Sequence, residues 1–343
     1  MPFRLRLKKS RQYNVVSKSL FVICIELLDS TSIECTLTSE SIGRECLDNV
    51  CQRLGLQQPE FFGLRYISRQ GYPRWVEMER PLKRQLDKHA RDMSLYLRVM
   101  YYVSGVSLLT DEMTRYHYFL QLKNDVIEGR ICCDVDQAVL LASYSMQAEF
   151  GNHDPERHTA EYLKDFALFP KHFTDTIQLE SMTEAVICHH ASLVGLAQGT
   201  AEEYYILATQ QLDGYGQETF LAKDENGSEV IIGITLTGIA VGYENTQTSS
   251  FYRWKEITNV VNHKRYFGIE CQVSDDTVQF QFRDVESAKY VWRMCVYQQS
   301  AIFSGSGEEL EREHGGRNDR RVKRAQSTSC LDLASPSDVN KLR

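Results

Sequence analysis

The chain has 343 residues, 42% of them apolar and 25% charged, with a formal net charge of −7. This composition belongs to an ordinary globular protein with room for two or three domains, and no apolar run approaches the roughly 20 residues that a membrane-spanning helix needs. Residues 108–213 carry 17 acids against 6 bases, which excludes a nucleic-acid surface there, because duplex phosphates need a basic one.

Residues 1–18 form a basic leader, with Arg4, Arg6, Lys8, Lys9, Arg11 and Lys18 and no acid. Two readings stay open for it. Each Lys or Arg near anionic lipid contributes about 1 kcal/mol; alternatively, the leader is simply solvated and disordered. Ten cysteines occur with no Cys-x-x-Cys spacing, most of them inside apolar runs. Reduced, buried thiols are the expectation.

A first domain is expected over residues 19–107. Leu20–Ile25 and Ile33–Leu37 are apolar, β-branched runs around the turn Leu28-Asp-Ser-Thr-Ser, a hairpin pattern. Ser39 or Ser41 is placed to cap a helix over Ile42–Leu54. There Cys46, Leu47, Val50, Cys51 and Leu54 share one face, and Gly55 ends it. Phe61–Ile67 reads as a strand, Arg74–Glu77 as a short one and Leu95–Val103 as a long one. A short helix begins at Pro81, since proline suits a first helical turn.

The second domain, 108–213, reads as helical throughout. Thr114–Arg130 is an aromatic helix with Tyr116, Phe119, Leu120 and Ile127 at helical spacing, closed by Gly129. Such a face must be buried by neighbours. Asp134–Phe150, Thr159–Phe166, Leu179–His190 and Ala201–Leu212 bring the total to about five helices.

The third, 214–303, returns to strands. Val230–Leu236 and Ile239–Tyr243 follow Asp224-Glu-Asn-Gly-Ser, where Asn-Gly predicts a type I′ turn. Phe251–Trp254, Tyr266–Val273 and Thr277–Phe282 come next, then a helix over Asp284–Phe303 with a stripe of Ala288, Val291, Trp292, Cys295 and Val296. Beyond 304 the composition turns to Ser, Asp, Pro and alternating charge blocks, a disordered tail. Arg324-Ala-Gln-Ser327 places an arginine three residues before Ser327, an arrangement that basophilic kinases favour.

Catalysis needs a nucleophile with its base, a metal cluster or a phosphate loop. Neither a Walker loop nor His-Glu-x-x-His occurs, and Gly214-Tyr-Gly lacks the third glycine of a dinucleotide loop. His153 and His158 are five apart and Cys188-His189-His190 is a tight cluster. Structural zinc takes four ligands in paired spacing, and the Cys-x-x-Cys half is missing, so neither a metal nor any other cofactor is expected. Arginine stands six positions beyond none of the ten cysteines. The thiolate-and-guanidinium loop of a tyrosine phosphatase is therefore absent, and no catalytic residue is assigned.

The order strand, strand, helix, two strands, short helix, strand, then a helical segment opened by Thr114-Arg-Tyr-His-Tyr-Phe-Leu-Gln-Leu-Lys, then strands closed by a helix, resembles a FERM domain. Arg253-Trp254 before Ile257 and Tyr266-Phe-Gly-Ile resemble its third lobe. The resemblance implies an α+β multidomain fold, a three-lobed cloverleaf. Its lobes are a ubiquitin-like β-grasp, an acyl-CoA-binding-protein-like helix bundle, and a PH/PTB-like β-sandwich with a C-terminal helix. The opening residues, Ile33-Glu-Cys-Thr-Leu and Arg80-Pro-Leu-Lys-Arg-Gln-Leu-Asp-Lys resemble the N-terminal region of Pez-type non-receptor tyrosine phosphatases. The loop Gly151–Thr159 and the turn Asn245–Ser250 depart from that pattern and mark a distant member.

By that resemblance the chain is a non-catalytic module that targets a phosphatase to the cell cortex, junctions and protein partners in Hippo-type growth control, with Kibra-like components among the partners. The alternative is a free-standing cytoskeleton–membrane adaptor of the ezrin type. A cytoplasmic, cytoskeleton-associated location follows from either. Two surfaces are candidates. One is a groove between the Tyr266–Cys271 strand and the terminal helix, lined by Tyr266, Gly268, Met294 and Tyr297, where a peptide adds as a strand. The other is an anion-binding or lipid-binding set of Lys8, Lys9, Arg11, Arg253, Lys255, Lys264 and Arg265.

Overall fold

The computed structural model describes residues 20–243, 249–272 and 274–303. Lys8, Lys9, Arg11 and Ser327 lie outside them. The chain divides into two compact units, one of residues up to Tyr102 together with Val106–Tyr215, the other of Val103–Gly105 and the residues from Gly216 onward.

The first unit opens with β1 (Leu20–Glu26) and β2 (Ser32–Thr38), an antiparallel hairpin. Alternation in β1 exposes Leu20, Val22 and Cys24 and buries Ile23 and Ile25, the period of a half-buried strand. Helix α1 (Gly43–Leu54) buries Cys46, Leu47, Val50 and Cys51. Its N-cap is Ile42, without a side-chain cap bond. Neither serine caps it: the Ser41 hydroxyl is spent on Thr38, 3.1 Å away. Gly55 closes the helix at φ +71, the left-handed conformation that costs glycine nothing. Next come β3 (Phe62–Ile67), β4 (Pro73–Trp75), α2 (Leu82–His89) and β5 (Ser94–Val99). The five-stranded order is β2-β1-β5-β3-β4, with β1 and β5 parallel, the plan of a β-grasp. The long strand expected to run to Val103 stops at Val99.

Helix α3 (Glu112–Ile127) follows, capped by the Asp111 carboxylate, which accepts the Thr114 amide. It starts two residues before Thr114 and is buried on more than one face. Thr114, His117, Tyr118, Phe119, Leu120, Gln121, Leu122, Asp125, Val126 and Ile127 are all buried, whereas Tyr116 is only half-buried. Helix α4 (Val135–Phe150) has a reciprocal capping box of Asp134 and Gln137. After α5 (Ala160–Leu163), α6 (Thr176–Ser192) and α7 (Gln198–Thr209) complete the bundle. Ala138, Val139, Ala142, Met146, Leu163, Met182 and Val186 form one buried cluster there.

The bundle's last turn returns against the end of α3. Gly214 sits at φ +93, and a Cβ on it would come within 2.1 Å of the Arg130 carbonyl oxygen. Both the left-handed backbone and the backbone clash oppose any side chain. Gly214→Ala is expected to cost about 1–3 kcal/mol or more, read as a lower urea midpoint at unchanged slope; a midpoint equal to the parent's would refute the clash.

The second unit is a seven-stranded sheet in the order β10-β11-β12-β6-β7-β8-β9. Its strands are β6 (Glu218–Lys223), β7 (Glu229–Ile234), β8 (Gly238–Tyr243), β9 (Ser249–Arg253), β10 (Ile257–His263), β11 (Tyr266–Cys271) and β12 (Ser274–Gln281). The β6–β7 loop is not a type I′ turn, which needs positive φ at both central residues. Gly227 alone is left-handed, and the Asp224 carboxylate accepts the amides of Asn226 and Ser228. Helix α8 (Val285–Phe303) buries Ala288, Tyr290, Val291, Met294 and Cys295. Tyr290 replaces Trp292 in the expected stripe, its ring 5.9 Å from Phe220.

Nine cysteines fall among the described residues, and all are free. Burial pushes the Cys46 and Cys51 thiols up to about 12, which keeps them protonated and unreactive. Cys24, Cys132 and Cys188 are exposed instead; Cys24 on β1 and Cys188 on α6 face away from their buried apolar neighbours, and Cys132 lies in the loop between α3 and α4.

Candidate functional site

The expected peptide groove is rearranged by a strand that the sequence reading passed over. β10, with Ile257, Val260 and Val261, pairs along β11 from Ile257↔Cys271 to His263↔Tyr266. β12 pairs with the other side of β11. Both edges of the Tyr266–Cys271 strand are therefore occupied, and no peptide can add there. The sheet edge next to α8 is β10. The helix already takes one acceptor of that strand, the Trp292 Nε1 donating to the Val260 carbonyl at 2.8 Å.

The four groove residues separate accordingly. Tyr266 is exposed and Tyr297 half-buried, while Met294 points inward and is buried. Gly268 is buried too: a Cβ there would meet Val261 Cγ2 at 2.6 Å and Thr277 Cγ2 at 2.8 Å, the side chains of both flanking strands. Gly268 is a packing position, not a lining one.

The four described basic residues do not form one patch. Arg253 and Lys255 lie before β10, and Arg253 reaches Glu256 at 4.0 Å. Lys264 and Arg265 make the tight turn after β10, where Lys264 adopts φ +53. The seven-residue strand between the pairs spans about 20 Å. Two positive points at the ends of one edge strand are what the fold makes of them. The amide of Asn262 braces the second by donating to the carbonyls of Lys264 and Tyr266.

A third grouping was only half legible. Helix α6 brings His190 against the loop after α4, where His153 and His158 lie. The ring centroids are 5.3–5.7 Å apart in all three pairings. His190 Nε2 donates to the Gly151 carbonyl at 2.8 Å, and the Asp154 amide donates to His158 Nδ1 at 3.0 Å. His158 and His190 are buried, and burial lowers the proton affinity of both below the ordinary imidazole range. Cys188 and His189, adjacent in sequence, point away and are exposed, since a helix turns about 100° per residue.

Among the described residues no helix is long and apolar enough to cross a membrane. Comparison with known proteins places all three parts of one family along the chain. The FERM N-terminal domain matches residues 25–88, the FERM central domain residues 104–220 and the FERM C-terminal PH-like domain residues 224–308. Among curated proteins, tyrosine-protein phosphatase non-receptor type 21 of Rattus norvegicus is 43% identical over 297 residues, 86% of this chain and 25% of its own length. Type 14 of Mus musculus is 42% identical over 295 residues, with the same coverage. The chain thus spans about a quarter of the length of these relatives. Among solved structures, the FERM domain of Drosophila Merlin, from its complex with the C-terminal domain, superposes with a TM-score of 0.74 at 23% identity. That match covers 86% of this chain and 98% of the other.

Proposed function

The chain belongs to the FERM family, and from that premise we propose that it is the targeting module of a non-receptor tyrosine phosphatase. Its lobes carry the three-lobed FERM fold, which is non-catalytic. The observation that carries the proposal is the 43% identity with a tyrosine phosphatase across the FERM portion. In this reading the module decides where dephosphorylation happens, at the cell cortex and at junctions, within growth-control signalling of the Hippo kind. Kibra-like proteins are the class of partner.

The second unit supplies a surface for it. An extended peptide segment has one edge available beside α8, that of β10, with Val260 already bonded to Trp292, Tyr297 on α8 and Tyr266 at the β10–β11 turn. Main-chain hydrogen bonds would supply affinity and the flanking side chains selectivity. The positive points at the ends of β10 suit acidic groups on a partner or on a lipid surface.

The test is localisation of the fluorescently tagged chain in epithelial cells. Enrichment at cell contacts is the expected result. Reversing Arg253, Lys255, Lys264 and Arg265 to glutamate should reduce that enrichment several-fold and lower co-sedimentation with anionic vesicles at low salt, because exposed charges act over about a Debye length. A uniform distribution of the parent chain would overturn the targeting role; vesicle binding unchanged by the reversal would remove the lipid part alone.

A further inference from the structure

We propose that His153, His158 and His190 form a binding site for a zinc-type divalent ion, made from one loop and one helix end of the bundle. One ring nitrogen from each residue lies within 4.8 Å of the other two. Three buried ring nitrogens there have no hydrogen-bond partner: His153 Nδ1, His158 Nε2 and His190 Nδ1. A buried polar atom left unpaired is a rare and costly feature, and three on rings packed together point to something they bind in common. Imidazole nitrogen selects zinc, cobalt, nickel or copper over magnesium and calcium.

His190 already presents a lone pair. His190 donates from Nε2 to the Gly151 carbonyl, so in the neutral ring Nδ1 holds its lone pair. A hydrogen bond of this kind, from the far ring nitrogen to a carbonyl, fixes the tautomer and orientation of a ligating histidine. His153 is only half-buried, which leaves an entry path, and a solvent molecule would complete four-coordination.

His158 sets the cost. Its Nδ1 accepts the Asp154 amide, so the neutral ring carries its proton on Nε2. Coordination through Nε2 requires that proton to move to Nδ1 and the Asp154 amide to let go. No proton is lost overall, but one loop hydrogen bond breaks. Tetrahedral zinc with bonds of about 2.0–2.1 Å needs nitrogens about 3.3 Å apart, so the rings must also draw together. The site therefore binds more weakly than a preformed one and draws the Gly151–Thr159 loop onto α6 as it fills. It lies wholly in the first unit and is independent of the targeting role.

The experiment uses the full, untagged chain after dialysis against chelator. Zinc is titrated by calorimetry, cobalt by visible absorption, and thermal unfolding is followed with each ion. Expected are one zinc per chain, a melting temperature that rises with zinc but not with magnesium, and a cobalt spectrum of tetrahedral nitrogen ligation without thiolate charge transfer. His153→Asn, at the half-buried position, should keep the fold by circular dichroism and weaken zinc at least tenfold; His158→Asn and His190→Gln should do the same or more. Cys188→Ser with His189→Gln should leave binding unchanged. The proposal is overturned by absence of saturable uptake, by uptake that survives His153→Asn at full affinity, or by uptake lost in the Cys188/His189 variant. Should the His190 variant not fold, the His153 variant decides.

Discussion

Asp125→Ala is expected to destabilise the first unit by about 2–5 kcal/mol, about 1–3 for each neutral donor it leaves buried and unpaired. The Asp125 carboxylate is buried in α3 and serves three donors at once. Tyr102 donates to Oδ2 at 2.5 Å, and Gln121 Nε2 and Arg130 Nε to Oδ1 at 2.9 and 2.7 Å. Gln121 in turn accepts the Val99 amide of β5 at 3.1 Å. One carboxylate thus ties the β-grasp sheet to the helix and to the turn beyond it. Alanine would strand the Tyr102 hydroxyl and the Gln121 amide in a buried site, and an orphaned buried group costs its full desolvation. Burial and the Asp125 charge both hold the Tyr102 phenol well above its ordinary range, so it is the donor of this bond at neutral pH. Asp125→Asn keeps the volume and one acceptor and should lose less. Urea unfolding followed by circular dichroism measures the difference, and a double-mutant cycle with Tyr102→Phe isolates the pair. A loss of under about 1 kcal/mol for Asp125→Ala would show that the network carries no weight.

Phe119→Ala should cost a similar amount, about 3–5 kcal/mol. The ring is fully buried and meets Tyr205 of α7 edge to face, centroids 5.0 Å apart and planes at 89°, an arrangement that adds to area burial. Its removal leaves a cavity between α3 and α7, and α7 is itself held against α4, so collapse is restricted. Tyr116 is the internal control. It shares the same helix but is half-buried, and Tyr116→Ala should cost roughly 1 kcal/mol or less by the usual size of effects away from the core. Equal losses for the two would mean that α3 is not oriented as described. Thermal midpoints of the two variants give the comparison.

The sequence showed these two residues alike, as aromatics at helical spacing. It could not rank them, because periodicity reports that a face is buried and not how deeply. Nor did it show Asp125 or Gln121 as core, since a polar residue on a helix reads as solvated until its partners are known. The peptide groove failed for a related reason. Tyr266-Phe-Gly-Ile is a strand by composition, but whether a strand lies at an edge depends on pairing with β10, whose Ile257, Val260 and Val261 do not alternate cleanly. The basic residues 253–265 look like one cluster along the chain, yet an extended strand carries their two halves apart. The histidines are the opposite case, separated by more than thirty residues and joined by the packing of α6 on the loop after α4.

What the sequence determined by itself was the order and kind of most elements, β6 and β10 excepted, the absence of a phosphatase loop, and the family. These rest on local periodicity, on helix stops such as Gly55, and on motif residues that need no partner to be read. What only the tertiary structure decided was which polar groups are buried together, which strand is an edge and which charges are neighbours. Those depend on contacts between residues far apart in the chain, where the free energy of burying or pairing a group is set by what faces it and not by what precedes it.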